Sequence, residues 1–120
     1  MTDIIIVTKT ISKKELKQLA KRRFGDLVKA VIDIKRGIMA VGGELHADEE
    51  AELLKNGSQQ SNLWGINLYP DESEEKWIKF DSVINIRPSQ NNRSRDVENP
   101  EIREKIKDII KNLTEQNIIK

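Results

Sequence analysis

Two apolar patterns of different period follow one another in the C-terminal half of the chain. From Trp77 to Arg87 the sequence WIKFDSVINIR alternates, which predicts a strand with Ile78, Phe80, Ser82, Ile84 and Ile86 on one face. After Asn99, an N-cap followed by Pro100, apolar residues recur at helical spacing and predict an amphipathic helix. Its stripe is formed by Ile102, Ile106, Ile109, Ile110 and Leu113. We therefore predict that Ile78, Phe80, Ile84 and Ile86 are buried on one sheet face and pack against this stripe.

The N-terminal part predicts further strands and a second helix. Ile4 to Thr8 is typical of a short strand, and Ser12 with Glu15 forms a capping box for a helix that runs to about Arg23 and stops at Gly25. The sequence LVKAVIDIKRGIMAVGG predicts a hairpin that turns at Lys35-Arg36-Gly37, although a long buried helix is the alternative. Together with a strand over Asn62 to Pro70, these elements predict one domain over residues 1–120. Its fold class is α+β: a mainly antiparallel sheet (a meander) with an N-terminal and a C-terminal helix.

The segment GGELHADEEAELLKNG is ambiguous. We favour a strand over Glu44 to Asp48 and leave the state of residues 48–56 open. Ala, Glu and Leu favour a helix there, and Asn56-Gly57 fits either a helix C-cap or a hairpin turn.

Composition excludes several classes of function. The chain has no cysteine, so disulfides, thiol chemistry and cysteine-based metal sites are absent. The first apolar run is too short for a signal sequence or a membrane span, and we expect a cytoplasmic protein without a membrane partner. One histidine also predicts that no transition metal and no cofactor is bound. Residues 9–36 are mainly basic and residues 44–81 mainly acidic, although the net charge is only +1.

The polar run after Pro88 is the first candidate site. It combines arginines, whose planar guanidinium groups match phosphate or carboxylate, with neutral donors between a strand end and a helix start. The predicted ligand-binding residues are Arg87, Ser89, Asn91, Asn92, Arg93 and Arg95. We expect Arg87, Arg93 and at least one of Ser89, Asn91 or Asn92 to share one oxyanion-sized pocket. The alternative is a surface loop held by its own hydrogen bonds.

The second candidate site surrounds the single histidine, His46. On a strand, Glu44, His46 and Asp48 would project from one face, so His46 with Asp48 forms a candidate acid/base pair. If the neighbouring strands pair in one sheet, Asn67, Asp81 and the arginines would converge with His46 on its polar face. The alternatives are a hydrogen-bonded structural histidine and an ordinary solvated sheet face.

These sites favour a module that binds a small anionic ligand or a phosphate-bearing partner. The alternatives are a small hydrolase, for instance of phosphodiesters, with His46 as acid/base, and a protein-interaction module that uses the opposed charge blocks. Whether the chain is an enzyme is left open. Nucleic acid is not favoured as a partner, because two Trp, two Phe and one Tyr are few for base stacking. A homodimer is compatible with the sequence.

Three separated motifs, GGELHADEE, LWGINLYP and INIRPSQNNRS, resemble those of a family of short bacterial proteins with no assigned function. The resemblance spans most of the chain, from about Leu16 to Ile110. It implies that the His46 segment and the arginine loop belong to one family pattern. It implies no activity, cofactor, partner or functional residue.

Overall fold

The computed structural model describes residues 4–114, in which five strands form one antiparallel sheet between layers of helices. The strands are β1 (Ile5–Val7), β2 (Val28–Asp33), β3 (Ile38–Val41), β4 (Leu63–Leu68) and β5 (Ile78–Lys79). The helices are α1 (Lys13–Arg23), α2 (His46–Lys55) and α3 (Pro100–Thr114). The predicted α+β class with an antiparallel sheet is confirmed. The strand order, β1-β3-β2-β4-β5, is not the sequential order of a simple meander, because the β2–β3 hairpin lies between β1 and β4.

The two faces of the sheet carry separate cores. On one face, the stripes of α1 and α3 pack against inward-facing strand residues such as Ala30, Ile32 and Ile66. On the other face, Leu53 of α2 packs against Val31, Ala40 and Leu63. Because side chains alternate along a strand, β2 and β4 contribute to both cores and are buried on both sides. The central strands therefore form a fixed support for groups at the edges of the sheet.

The predicted ends of α1 and α3 are confirmed. Ser12 and Glu15 form the reciprocal capping box, and Gly25, with φ +95°, follows the last turn of α1. The Asn99 side chain accepts a hydrogen bond from the Glu101 N–H at the start of α3. These helix ends could be predicted because each capping interaction involves residues within one helical turn of each other.

The strand predicted over Glu44 to Asp48 is wrong, because helix α2 starts at His46. Leu45, which is extended, precedes the helix, and the remainder of the open segment 48–56 is helical to Lys55. The helix propensity of Ala, Glu and Leu therefore outweighs the local alternation around His46. The change also separates two predicted partners. On a helix, residues two positions apart do not face each other, so buried His46 and exposed Asp48 do not form a pair.

The long strand predicted over Trp77 to Arg87 is also wrong, since only Ile78 and Lys79 are strand residues and Val83–Asn85 forms a 3₁₀ turn. Ile78 and Phe80 are partly buried and pack against the core of α1 and α3, as predicted. Ile84 instead packs in the core under α2, and Ile86 is 43% exposed. The alternating pattern is therefore divided between two cores and solvent.

The Asn85 side chain accounts for the early end of β5. Its Oδ1 accepts from the Gly65 N–H at 2.8 Å, and its Nδ2 donates to the Gly65 carbonyl at 2.9 Å. The Asn85 amide thus occupies the position on β4 that the backbone of a longer β5 would have paired with. Ser82 packs directly on Gly65, where an added Cβ would lie 2.6 Å from the Ser82 Oγ, so only glycine allows this approach. Side-chain pairing therefore replaces strand pairing at this point.

We predict that Asn85→Ala lowers the free energy of unfolding by about 3 kcal/mol or more. The substitution leaves the buried N–H and C=O of Gly65 without partners, and each unsatisfied buried group costs about 1–3 kcal/mol. Urea denaturation measures the change. Ser89→Ala, at an exposed position of the same region, is the control and should change stability by less than about 0.5 kcal/mol. Equal stabilities of the two variants would contradict this role of Asn85.

Candidate functional site

The Arg87 side chain of the predicted anion site is directed into the protein. Its guanidinium donates hydrogen bonds to the carbonyls of Gln60 and Leu63 and stacks over the Trp64 ring, 4.2 Å from the ring centroid. Burial lowers the pKa of Arg87, while Glu50 opposes that shift. The group nevertheless stays protonated at neutral pH. These contacts attach the polar loop to the start of β4.

Asn92 is also a structural residue, because all of its polar atoms are engaged within the loop. Its Nδ2 donates to the carbonyls of Asn85, Ser94 and Asp96, and its Oδ1 accepts from the Glu98 N–H. The side chain is 2% exposed. The density of amides that suggested a ligand site therefore serves in part to fold the loop on itself.

Four other predicted ligand-binding residues remain at the surface. Ser89, Asn91, Arg93 and Arg95 are all exposed. Asn91 is in the left-handed region with φ 61°, which asparagine tolerates better than most residues. The Arg95 Nε donates to the Asp81 carboxylate. Arg95 and Arg87 therefore have different partners, since the guanidinium of Arg87 lies against Trp64.

His46 is the first residue of α2 and is 8% exposed. Its Nε2 lies 2.7 Å from the Ile66 carbonyl oxygen, and because a carbonyl can only accept, Nε2 carries the proton. Burial is the largest influence and lowers the pKa of His46, while the Ile66 carbonyl acts in the opposite direction. A neutral imidazole hydrogen-bonded to the β4 backbone follows, and this contact attaches the start of α2 to the sheet.

Glu49, one helical turn after His46, is a buried carboxyl group that sequence reasoning missed. Its Oε2 accepts from the Gly43 N–H at 2.8 Å, whereas Oε1 is buried without a hydrogen bond among residues 4–114. Burial raises the pKa of Glu49 well above its ordinary value, against the opposing effect of the Gly43 N–H. A Cβ on Gly43 would lie 2.9 Å from the Glu49 Cγ, so the position of Glu49 leaves no room for a side chain at residue 43. The glycine pair in the sequence was the one available signal.

Of the polar groups predicted to converge with His46 on one sheet face, Asp81 and Arg95 influence its imidazole, whereas Arg87 is hydrogen-bonded to Gln60 and Leu63. The charges of Lys29, Asp81 and Arg95 are close enough to influence the imidazole. Asn67, the cross-strand neighbour of Lys29, donates to the Asp81 carbonyl. His46 itself is buried, and its Nε2–H is already bonded to the backbone.

Beside these residues lies a groove of about 1310 Å³ between β5 and α3. Three aromatic residues, five basic residues and four acidic residues contribute to its walls. The aromatic residues are Tyr69, Trp77 and Phe80, and the basic ones are Lys79, Arg95, Arg103, Lys107 and Lys111. The acidic residues are Glu74, Glu75, Asp81 and Asp96. Of the predicted ligand-binding residues, Arg95 alone is part of this wall, and His46 is not.

Two pairs of opposite charge fix the arginines of the groove. Arg95 pairs with Asp81, and Arg103 donates to Asp96 at 2.8 Å while its guanidinium covers the Phe80 ring at 4.6 Å. Lys79 and Lys111 form no ion pair with any residue from 4 to 114, and Lys107 pairs only with Glu104, at 3.5 Å. The α3 wall therefore carries positive charge that the described part of the chain leaves largely uncompensated.

Neither a metal centre nor a membrane span was found in the described residues. Between Ile4 and Thr114 no three residues of His, Cys, Asp and Glu come close enough together to hold a metal ion. No helix in the same range combines the length and the apolar composition that crossing a bilayer requires.

Comparison with known proteins identifies the family but not the activity. The family described as "Protein of unknown function (DUF5674)" matches residues 5–113, nearly the whole chain, so the chain belongs to this family. Neither the curated proteins nor the solved structures include a match.

We predict that Arg87→Ala and Arg87→Lys both lower the melting temperature. Each removes the planar group that donates to two carbonyls at once and stacks on Trp64, and lysine cannot replace that geometry. The expected loss is about 1.5–3 kcal/mol for the charged hydrogen bonds. Thermal unfolding monitored by circular dichroism measures it, with exposed Arg93→Ala as the control. An unchanged melting temperature for Arg87→Lys would show that the planar guanidinium group is not required at this position.

We predict that the stabilities of variants at the two buried groups, His46 and Glu49, depend on pH in opposite directions. The folded pKa of His46 is below 6.5, so the unfolded chain binds more protons and stability falls as the pH drops below about 6.5. The folded pKa of Glu49 is above 4.5, so the folded chain binds more protons and stability falls as the pH rises from about 4.5 through that raised pKa. The stability of His46→Gln relative to wild type should therefore increase as the pH is lowered. The stability of Glu49→Gln relative to wild type should increase as the pH is raised.

Urea denaturation at pH values from 4.5 to 8 measures both slopes. Glutamine suits both positions, because its amide can donate to the Ile66 carbonyl and can accept from the Gly43 N–H. Stability differences that do not vary with pH would mean that neither group changes its protonation on folding.

Proposed function

We propose that this member of the DUF5674 family is a binding module whose groove between β5 and α3 takes an anionic partner. The observation that carries the proposal is the uncompensated positive charge of the α3 wall beside a cavity of about 1310 Å³. None of the four acidic residues of the groove belongs to α3, and Asp81 and Asp96 are paired with arginines, so the exposed lysines of the α3 wall favour a ligand of opposite charge on that side. The favoured anion site thus moves from the polar loop to the groove, with Arg95 common to both.

The groove combines fixed and adaptable cations. Arg95 and Arg103 are held by Asp81 and Asp96, so their remaining N–H donors have defined directions. Lys107 and Lys111 are one helical turn apart on α3 and lie on the same side of the helix. A ligand with two or more anionic groups, such as a phosphate ester or a polycarboxylate, suits this arrangement.

The aromatic residues give the groove a rigid floor. Trp77 is 5% exposed and belongs to the core under α1 and α3. The Lys13 ammonium lies over its ring, 4.4 Å from the centroid. Phe80 is covered by Arg103. A floor of buried or covered aromatic rings favours ligand binding, since these rings lose little side-chain entropy when the partner arrives.

Binding is favoured over hydrolysis because of the position of His46. A general base must reach the substrate within hydrogen-bond distance or through one water. His46 is buried, its Nε2–H is bonded to the Ile66 carbonyl, and it is not part of the groove wall. Asp48, its proposed partner, lies on a different side of α2. The hydrolase alternative therefore lacks the contact between base and groove that it requires.

We predict that Lys107→Ala/Lys111→Ala weakens the binding of inorganic pyrophosphate and of a polyglutamate oligomer about tenfold or more. Charge-assisted hydrogen bonds contribute about 1.5–3 kcal/mol each, and 1.4 kcal/mol corresponds to a factor of ten. Isothermal titration calorimetry at low salt measures the affinities, which should also fall as salt is added.

The matched control is Lys105→Ala, which removes an exposed lysine of the same helix that is not part of the groove. It should keep the wild-type affinity for both probes. Binding of neither probe to wild type, or equal losses in the control and the double variant, would overturn the proposed function.

A further inference from the structure

We infer that the partner of the groove is an extended acidic peptide, which adds to the open edge of β5 as a sixth strand. The inference rests on the proposed anion-binding function and specifies its ligand. In strand addition, main-chain hydrogen bonds supply affinity, and side-chain contacts on either side supply selectivity. The groove offers both kinds of contact.

The open edge follows from the pairing of β4 with β5. Asn67 pairs with Lys79, and the Tyr69 N–H donates to the Trp77 carbonyl at 2.7 Å. Backbone groups alternate in direction along a strand, so Trp77 and Lys79 are directed toward β4. The N–H and C=O groups of Ile78 and Phe80 are therefore directed away from β4, and both residues line the groove. No residue from 4 to 114 forms a hydrogen bond with them.

The protein already uses the next position of this edge. Ser82, which is extended and two residues after Phe80, donates its N–H to the Arg95 carbonyl at 3.0 Å. The Asn85 Nδ2 donates to the same carbonyl at 2.9 Å. The Ser94–Asp96 segment thus pairs with the chain just beyond β5, and no backbone hydrogen bond among residues 4–114 joins it to Phe80. An incoming strand would continue along the line that this segment begins.

The charges around the edge favour an acidic strand. Lys107 and Lys111 line the α3 side of the groove, and Lys79 belongs to β5 itself. Of the acidic residues of the groove, Asp81 and Asp96 are paired with arginines, and Glu74 and Glu75 precede β5 in the chain. A small anion would pair with these cations but leave the backbone groups of Ile78 and Phe80 unpaired. A second copy of the chain, paired through β5, would bring Lys79 of one copy close to Lys79 of the other. An acidic peptide satisfies the backbone and the lysines together.

Phe80 offers a matched pair of variants that separates the main chain from the side chain. Phe80→Pro removes the outward N–H and the ring, whereas Phe80→Ala removes the ring alone. Proline is tolerated on an edge strand when its missing N–H would have faced away from the sheet. The difference between the two variants therefore measures the contribution of the Phe80 N–H.

The test selects ligands for the wild-type chain from a random heptapeptide library displayed on phage. We expect an excess of Asp and Glu over Lys and Arg among the selected peptides. Their affinity should be at least tenfold lower for Phe80→Pro than for Phe80→Ala. The peptides should slow amide hydrogen exchange at Ile78 and Phe80. Failure to select peptides, a basic consensus or equal affinities of the two variants would overturn strand addition.

A second measurement keeps the test decisive if Phe80→Pro does not fold. Methylation of every second backbone nitrogen of a selected peptide removes the N–H donors from one of its two edges. Of the two peptides methylated in this way, one on each edge, one should bind the wild-type chain at least tenfold more weakly than the unmethylated peptide. Full affinity of both methylated peptides would overturn the inference. Slow hydrogen exchange of the Ile78 and Phe80 amides without any peptide would also overturn it. Slow exchange that depends on protein concentration would indicate that a second copy covers the edge, and slow exchange that is lost when residues 115–120 are deleted would indicate that the chain itself covers it.

The pyrophosphate titration separates the two proposals. If pyrophosphate binding depends on Lys107 and Lys111 but peptide affinity does not differ between the Phe80 variants, the groove binds anions and strand addition is wrong. If the binding of neither pyrophosphate nor polyglutamate depends on the two lysines, the proposed function itself is wrong.

Discussion

The pairing of the Asn85 amide with Gly65 determines the layout of the edge that carries the groove. A side-chain amide has the same donor and acceptor as a peptide unit, so it can complete a strand pairing without continuing the strand. Here it pairs with both backbone groups of Gly65 and also donates to the Arg95 carbonyl. The chain can therefore leave the sheet after β5 while β4 stays satisfied. The same amide positions Arg95 beside the groove, so the end of the strand and the start of the candidate site have one cause.

The polar loop shows why composition alone could not identify an anion site. Arginines and amides suit an oxyanion, but they equally suit backbone carbonyls, which carry partial negative charge and lie closer at hand. Arg87 donates to two such carbonyls, and Asn92 to three. A loop of this length has little apolar surface to bury, so hydrogen bonds of this kind must define its conformation. Arg95 differs in that its partner is the exposed carboxylate of Asp81, and it is the predicted residue that lines the groove.

Elements defined by local chemistry could be predicted from the sequence, and elements defined by distant contacts could not. The capping box at Ser12 and the cap at Asn99 depend on neighbouring residues, and both helices form as predicted. The alternation from Trp77 to Arg87 is real, but its apolar residues serve two cores because Ser82 must approach Gly65, which is distant in sequence. Similarly, the start of α2 is stabilised by the hydrogen bond between His46 and Ile66, which are twenty residues apart in the sequence. The contact between Glu49 and Gly43 is closer in sequence, but it requires the helix that the alternating pattern around His46 concealed. The position of the groove depends on these same long-range contacts.

The distribution of polar atoms explains why binding is the favoured role. Catalysis needs a titratable group with a free atom facing the substrate, whereas His46 and Glu49 of α2 each bond one atom to the backbone and are buried. Glu49 leaves one oxygen unpaired, but that oxygen is enclosed. At the β5 edge the reverse holds, since the lysines are exposed and the backbone groups of Ile78 and Phe80 are directed outward. Natural proteins protect such edges by keeping them short and by placing lysine on them, as Lys79 is placed here. A short edge bordered by lysines opposes pairing with basic strands, and so the features that limit aggregation are the same ones that favour the acidic partner we propose.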